Sequence, residues 1–180
     1  MDHLIEKTTQ VKSVYKGKII DLQIEEVELP NGGTSSREIV KHPGAVAVIA
    51  VTDDKKALMV RQYRKALEKT IVEIPAGKLE KGEDPLACAK RELLEETGYS
   101  CRQIEKVGSF YTSPGFADEI IHLYFSDSLT YEGEQQTDED EFLDVLKLTM
   151  EDIRELTASE QIHDAKTMYA VMYLQLKYGR

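Results

Sequence analysis

Residues 77–99 read GKLEKGEDPLACAKRELLEETGY, and the rest of the chain is arranged around them. The second half has an explicit helix start and stop. Asp84 is placed to cap it, Pro85 suits the first helical position, and Gly98 falls just past the last turn. At about 100° per residue, Glu95 and Glu96 fall roughly 60° behind and 40° ahead of Glu92, so three carboxylates share one narrow stripe. Like charges that close repel, and Arg91 alone cannot neutralise three acids. Hard divalent cations, which take oxygen ligands, could. Leu86, Ala87, Leu93 and Leu94 lie on the broad side away from the stripe and are expected to pack the helix down, with Cys88 and Ala89 flanking the acids. The first half is a loop that delivers Glu83 to the helix start. It is not a phosphate-cradling P-loop, because Glu83 follows the second glycine where that motif needs Lys.

Upstream, Ala45–Val51 is a continuous apolar run that reads as a strand buried on both faces, and Ala57–Tyr63 is its hairpin partner. Thr70–Ile74 forms a further short strand ending at Pro75. Before His42-Pro43-Gly44, three alternating segments, Val11–Tyr15, Ile19–Leu29 and Ser35–His42, predict a small antiparallel sheet with a hairpin turn at Pro30–Gly33. Three strands bury little alone, so this unit must pack on the rest of the chain or on another copy. Downstream, strands are expected at Gln103–Tyr111, Ile120–Ser126 and Phe142–Leu148, and helices at Glu151–Leu156 and Ala165–Tyr178. Met168, Val171, Met172, Leu174 and Leu176 are available for packing in the last helix. Leu129–Glu141 holds six acids in its last ten residues and reads as a mobile exposed loop. This order predicts an α+β protein with a mixed sheet, divided into an N-terminal strand unit over residues 1–43 and a catalytic domain over 44–180.

Composition narrows the function. A net charge of -10 and a pI near 5.0 argue against nucleic-acid binding, which needs clustered Lys and Arg. Cys88 and Cys101 have no metal-ligand spacing and read as reduced thiols. The N-terminus lacks an apolar leader, and the longest apolar run is too short to span a membrane, so a cytoplasmic protein without membrane partners is expected.

The full spacing of the opening stretch, Gly77, Glu83, Arg91, Glu92, Leu93, Glu95, Glu96 and Gly98, resembles the Nudix box, with Tyr99 where the general pattern has an aliphatic residue. The resemblance implies an α/β/α sandwich and Mg²⁺-dependent, or Mn²⁺-dependent, cleavage of nucleoside diphosphates linked to another group. It implies Glu92 and Glu96 as principal metal ligands, Glu95 as a further ligand or support, and the carbonyl of Ala76 as a backbone ligand. It also implies that Arg91 orients the glutamates and that Glu83 braces the loop.

Two more segments, V-R-Q-Y-R at Val60–Arg64 and S-P-G-F around Pro114 and Gly115, are similar to the ADP-ribose pyrophosphatase subfamily. That likeness implies ADP-ribose or a related nucleoside diphosphate sugar as substrate, with Arg37 and Arg64 contacting it. It implies a homodimer that exchanges the N-terminal unit, and a mobile acidic loop that brings Glu139 to the reacting water, with Glu141 as metal ligand or substitute base. Another nucleoside diphosphate derivative, or a Nudix-like sensor that has lost catalysis, are the rival expectations. The intact carboxylate stripe argues against the sensor.

Overall fold

The computed structural model describes residues 2–137 and 141–179. They form two compact units: Met1–Gly44 with Phe110–Ile120, and Ala45–Ser109 with Ile121–Arg180.

In the first unit β1 (Lys7–Lys16), β2 (Asp21–Glu28) and β3 (Thr34–Lys41) form an antiparallel three-stranded sheet in the order β1-β2-β3. The turn joining β2 to β3 uses Gly32 at φ +82, a conformation that strains any residue with a side chain, and Leu29 N–H donates to Gly33 O across it. β1 starts earlier than its sequence pattern indicates and is exposed along its whole length. The Pro114 loop belongs to this unit. Val40 N–H donates to Phe116 O, Asp118 N–H donates to Val40 O, and Asp118 Oδ1 accepts from His42 N–H.

The second unit is built on a seven-stranded mixed sheet. Its spine is β12 (Leu143–Leu148), β5 (Ala57–Arg64), β4 (Ala45–Val51), β10 (Ile120–Ser126) and β9 (Glu105–Tyr111), in that order. The apolar run of β4 is central, antiparallel to β5 and parallel to β10. It is buried from Val46 to Val51, as a strand covered on both faces must be. β4 and β5 pair only at Ala50–Val51 with Ala57–Leu58, then part. β6 (Lys69–Glu73) takes over the freed edge of β5, and β7 (Ala76–Lys78) takes over that of β4. Pro75 bridges the two short strands, and its carbonyl accepts from Val48 N–H. The chain therefore passes from the sheet interior through β7 into the loop that carries Glu83.

Helix α1 (Pro85–Thr97) covers one face, where Val46, Val48, Ala50, Leu58, Cys88, Ala89, Leu93 and Tyr124 make a common core. The expected packing face needs correction. Leu86 and Leu94 remain 38% and 37% exposed, and the helix is seated by Cys88, Ala89 and Leu93. Small residues next to the acid stripe let the helix approach the sheet closely, so the stripe stands at the edge of the buried face. On the other side lie α2 (Met150–Ala158) and α3 (Ala165–Tyr178), completing the α/β/α sandwich. Thr149 and Asp152 close a reciprocal capping box on α2. α3 packs through Thr167, Ala170, Val171 and Leu174, whereas Met168, Met172 and Leu176, read from the sequence as available for packing, are exposed.

The acidic segment also departs from the expected loop. Leu129–Tyr131 is a strand, β11, paired antiparallel with β8 (Tyr99–Cys101) immediately after α1. Gly98 makes this possible: at φ +73 it ends the helix, and its carbonyl accepts from Glu132 N–H.

Candidate active site

Asp84 caps α1 as its position predicts, Oδ1 accepting from Leu86 N–H at 3.1 Å and Ala87 N–H at 3.0 Å. The helix so fixed turns Glu92, Glu95 and Glu96 toward the point where β7 leaves the sheet. Gly77 is required there by space. A Cβ on it would lie 1.8 Å from Glu92 Cδ, so the carboxylate rests directly on the backbone of β7.

Arg91 organises the acids around it. Nε and Nη2 donate to the two oxygens of Glu83 at 2.9 and 3.0 Å, a bidentate pair that ties the loop to the helix. Nη1 donates to Glu92 Oε1 at 2.9 Å and Glu95 Oε2 at 2.8 Å, and Nη2 also lies 3.2 Å from Cys88 Sγ. The bond to Arg91, helped by Glu80 N–H, holds the Glu83 carboxyl down at about 2. Cys88 is moved the other way: burial pushes its thiol up to about 12, so it is a packing residue and not a nucleophile.

Glu96 is the acid Arg91 does not reach. It is 4% exposed, and its Oε2 accepts from Ala76 N–H at 2.9 Å. Burial raises its carboxyl to about 8; the Ala76 bond and Arg64 oppose this, while Glu92 and Glu141 add to it. Burial raises Glu92 as well, against the pull of Arg91 and with Glu95 and Glu141 repelling it. Among the described residues no three acidic side chains converge as a closed metal cage, because Arg91 holds Glu92 and Glu95 to one side. The donor set nevertheless fits a hard divalent cation: all donors are oxygens, Glu92 and Glu96 are mostly buried, and Glu141 lies within electrostatic range of both. Buried and only partly offset by Arg64, the Glu96 carboxyl is shifted toward its protonated form.

Arg64 ends β5, where Glu73 Oε2 accepts from its Nε at 2.7 Å. Burial alone would lower its pKa, but Glu73, and beyond it Glu96 and Asp164, raise it on balance. The predicted substrate arginine is thus within electrostatic range of the carboxylate stripe. Arg37 lies on β3 in the first unit, with Nε and Nη2 on the two oxygens of Glu6 at 2.9 and 2.5 Å. Pro114 and Gly115 lie in the same unit, in a turn where Phe116 and Ala117 N–H donate to Ser113 O. Glu141 is exposed just before β12, in the wall of a cavity of about 440 Å³ with Arg61, Gln62, Tyr63 and Phe142. Glu139 lies outside the described residues.

Two features escaped the sequence reading. Gln135 Nε2 donates to Glu96 O at 2.6 Å and Gln136 N–H donates to Glu95 O at 2.9 Å, tying the start of the acidic loop to the end of α1. Glu73 is 2% exposed beneath Arg64 and is paired with Lys166 of α3. Its one sequence signal was an acid inside the apolar run Ile71–Ile74.

A mixed sheet between helices, with this box running from β7 through α1, defines a Nudix hydrolase. The chain belongs to that family: the NUDIX domain model matches residues 41–170. It is 58% identical over 178 residues to the ADP-ribose pyrophosphatase of Bacillus subtilis (strain 168), covering 98% of this chain and 96% of that one. It is equally 58% identical, over 173 residues, to the methanol dehydrogenase activator of Bacillus methanolicus, covering 96% and 94%. A solved structure of an ADP compounds hydrolase superposes with a TM-score of 0.82 at 18% identity, covering 97% of each chain, and shows the shared fold.

Proposed function

We propose that the protein hydrolyses the pyrophosphate bond of ADP-ribose, using Mg²⁺ or Mn²⁺, to give AMP and ribose 5-phosphate. The observation that carries this is the near full-length likeness to an ADP-ribose pyrophosphatase in a chain whose carboxylate stripe is intact. Glu92, Glu96 and the Ala76 carbonyl would hold the metal, with Glu95 and Glu141 as further oxygen donors. The bound cation would offset the pyrophosphate charge and lower the pKa of a water. Arg91 keeps Glu92 and Glu95 aligned, and Glu83 braces Arg91. Arg64 and Arg37 bind the substrate, and the turn at Pro114 and Gly115 shapes its recess. Glu139, or Glu141 in its place, takes a proton from the water as its oxygen bonds to one phosphorus; the bridging oxygen leaves with the other phosphate. We place the enzyme in the cytoplasm as a homodimer joined through its N-terminal unit, residues 1–43, which precedes a catalytic domain over 44–180.

Incubation with ADP-ribose and Mg²⁺, followed by product chromatography, tests the reading. AMP and ribose 5-phosphate are the expected products. Turnover of a different member of a panel of nucleoside diphosphate sugars, with none of ADP-ribose, would overturn the substrate assignment.

The equal likeness to a methanol dehydrogenase activator supports a second reading, in which the same protein activates a methanol dehydrogenase. A rise in methanol dehydrogenase rate on adding the wild type, but not Glu96→Gln, would favour it.

A further inference from the structure

We infer that Glu73, clamped by Lys166 from α3, is a positioning residue that draws Arg64 back from the open end of its strand toward the carboxylate stripe. This rests on the reading of Arg64 as a substrate arginine. In the β5–β6 ladder Val60 lies opposite Glu73 and Arg64 lies opposite Lys69, so Glu73 and Arg64 share one face but sit at opposite ends of the pairing. Cross-strand partners and residues two apart point to the same side of a sheet, so the Arg64 side chain must lean along β5 to reach Glu73. It does so, with Nε on Glu73 Oε2 at 2.7 Å. Left alone at a strand end, an arginine keeps its charged head in water. Here the Nε edge is spent on Glu73, which leaves the two terminal nitrogens to present a fork to an anion.

Glu73 is itself held. Its side chain is 3% exposed, its other oxygen accepts from Lys166 Nζ, and Lys166 also donates to Asp164 Oδ1 at 2.9 Å. Lys166 is shared between Glu73 and Asp164, so Arg64 supplies the second positive charge facing these two carboxylates, and the test must separate positioning from stability. Removing one partner of a buried charge pair leaves the other uncompensated and destabilises the fold, so the thermal midpoint is read beside KM and kcat. Asp164 caps α3 and Thr167 Oγ1 accepts from Ile74 N–H, so the clamp is anchored on the first turn of a helix that packs on the sheet.

The test is a double-mutant cycle on the full chain with Glu73→Gln, Arg64→Ala and both together, reading KM and kcat for ADP-ribose and the thermal midpoint. The expected result is a rise in KM of about tenfold for Glu73→Gln with kcat changed less than about threefold, and no further rise when it is added to Arg64→Ala. Glu73→Asp, which keeps the charge at shorter reach, should recover part of the loss. An unchanged KM in Glu73→Gln, or an equal rise in the Arg64→Ala background, would overturn the inference. Absence of wild-type turnover of ADP-ribose would instead sink the functional reading. The same cycle would then be read by ADP affinity in calorimetry, where a Glu73→Gln loss that vanishes without Arg64 upholds the positioning role and a loss that persists overturns it.

Discussion

At the residue scale, Glu96 concentrates the chemistry of the site, because it is the buried stripe acid to which Arg91 makes no bond. Glutamine has the shape of its protonated form, so Glu96→Gln should leave the thermal midpoint within a few degrees of wild type. Activity should fall by on the order of 10³-fold if Glu96 binds the metal, and an active variant would refute the assignment. The raised pKa has its own signature. Since burial lifts the folded value to about 8 from an ordinary 4.5, the contribution of Glu96 to the stability of the metal-free protein is fully present below about pH 4.5. It is lost as pH rises through 8. The urea midpoint of metal-free wild type should therefore decline between pH 5 and 8.5 more steeply than that of Glu96→Gln. Metal binding needs the carboxylate, so Mg²⁺ titrated at pH 7 should release close to one proton, and little above pH 9. Calorimetry in buffers of different ionisation enthalpy reads that number directly; no proton release at pH 7 would mean that the metal displaces no proton from Glu96.

At the scale of elements, what the sequence discloses follows from how local its determinants are. The span of α1 is legible because Asp84, Pro85 and Gly98 act within one turn of its ends. Its buried side is not, because that depends on how closely the helix approaches β4. At close approach Cys88 and Ala89 fit under the helix and Leu86 and Leu94 are left at the rim. Strands β7, β8 and β11 are three residues each, too short for alternation to show, and exist only because a partner edge is offered. The carboxylate stripe could be read from spacing; the Glu73–Lys166 clamp, joining residues 93 apart in sequence, could not. The junction at Gly98 yields a prediction of this scale. An alanine there would need φ +73 and would bring its Cβ within 2.0 Å of Gly133 O, which follows directly from the β8–β11 pairing. Gly98→Ala should destabilise by about 2–4 kcal/mol, the sum of backbone strain and a clash with main chain that cannot swing aside. Denaturant unfolding would check it, and a loss under about 1 kcal/mol would show that β11 yields easily.

At the scale of the whole molecule, the N-terminal unit does not explain its own stability. Of its strand residues only Val27 is buried, and Val11, Val14 and Tyr15 of β1 are each more than half exposed, with Leu4 and Ile5 just before them. Three strands with so little core are marginal alone, and an exposed apolar strand invites a partner. A second copy of the chain is the partner we propose. The mass in solution should then be about twice 20.4 kDa, and Val14→Glu should shift it toward the single chain. Charge sets a further condition. Each chain carries -10, so two must associate against mutual repulsion, and salt that screens exposed charges over about 8–10 Å should tighten the dimer rather than loosen it. Sedimentation at low and high ionic strength separates the cases. A dimer strengthened by salt fits an apolar interface between acidic chains; one weakened by salt would mean that ion pairs hold it; and a single chain at every concentration would remove the dimer altogether.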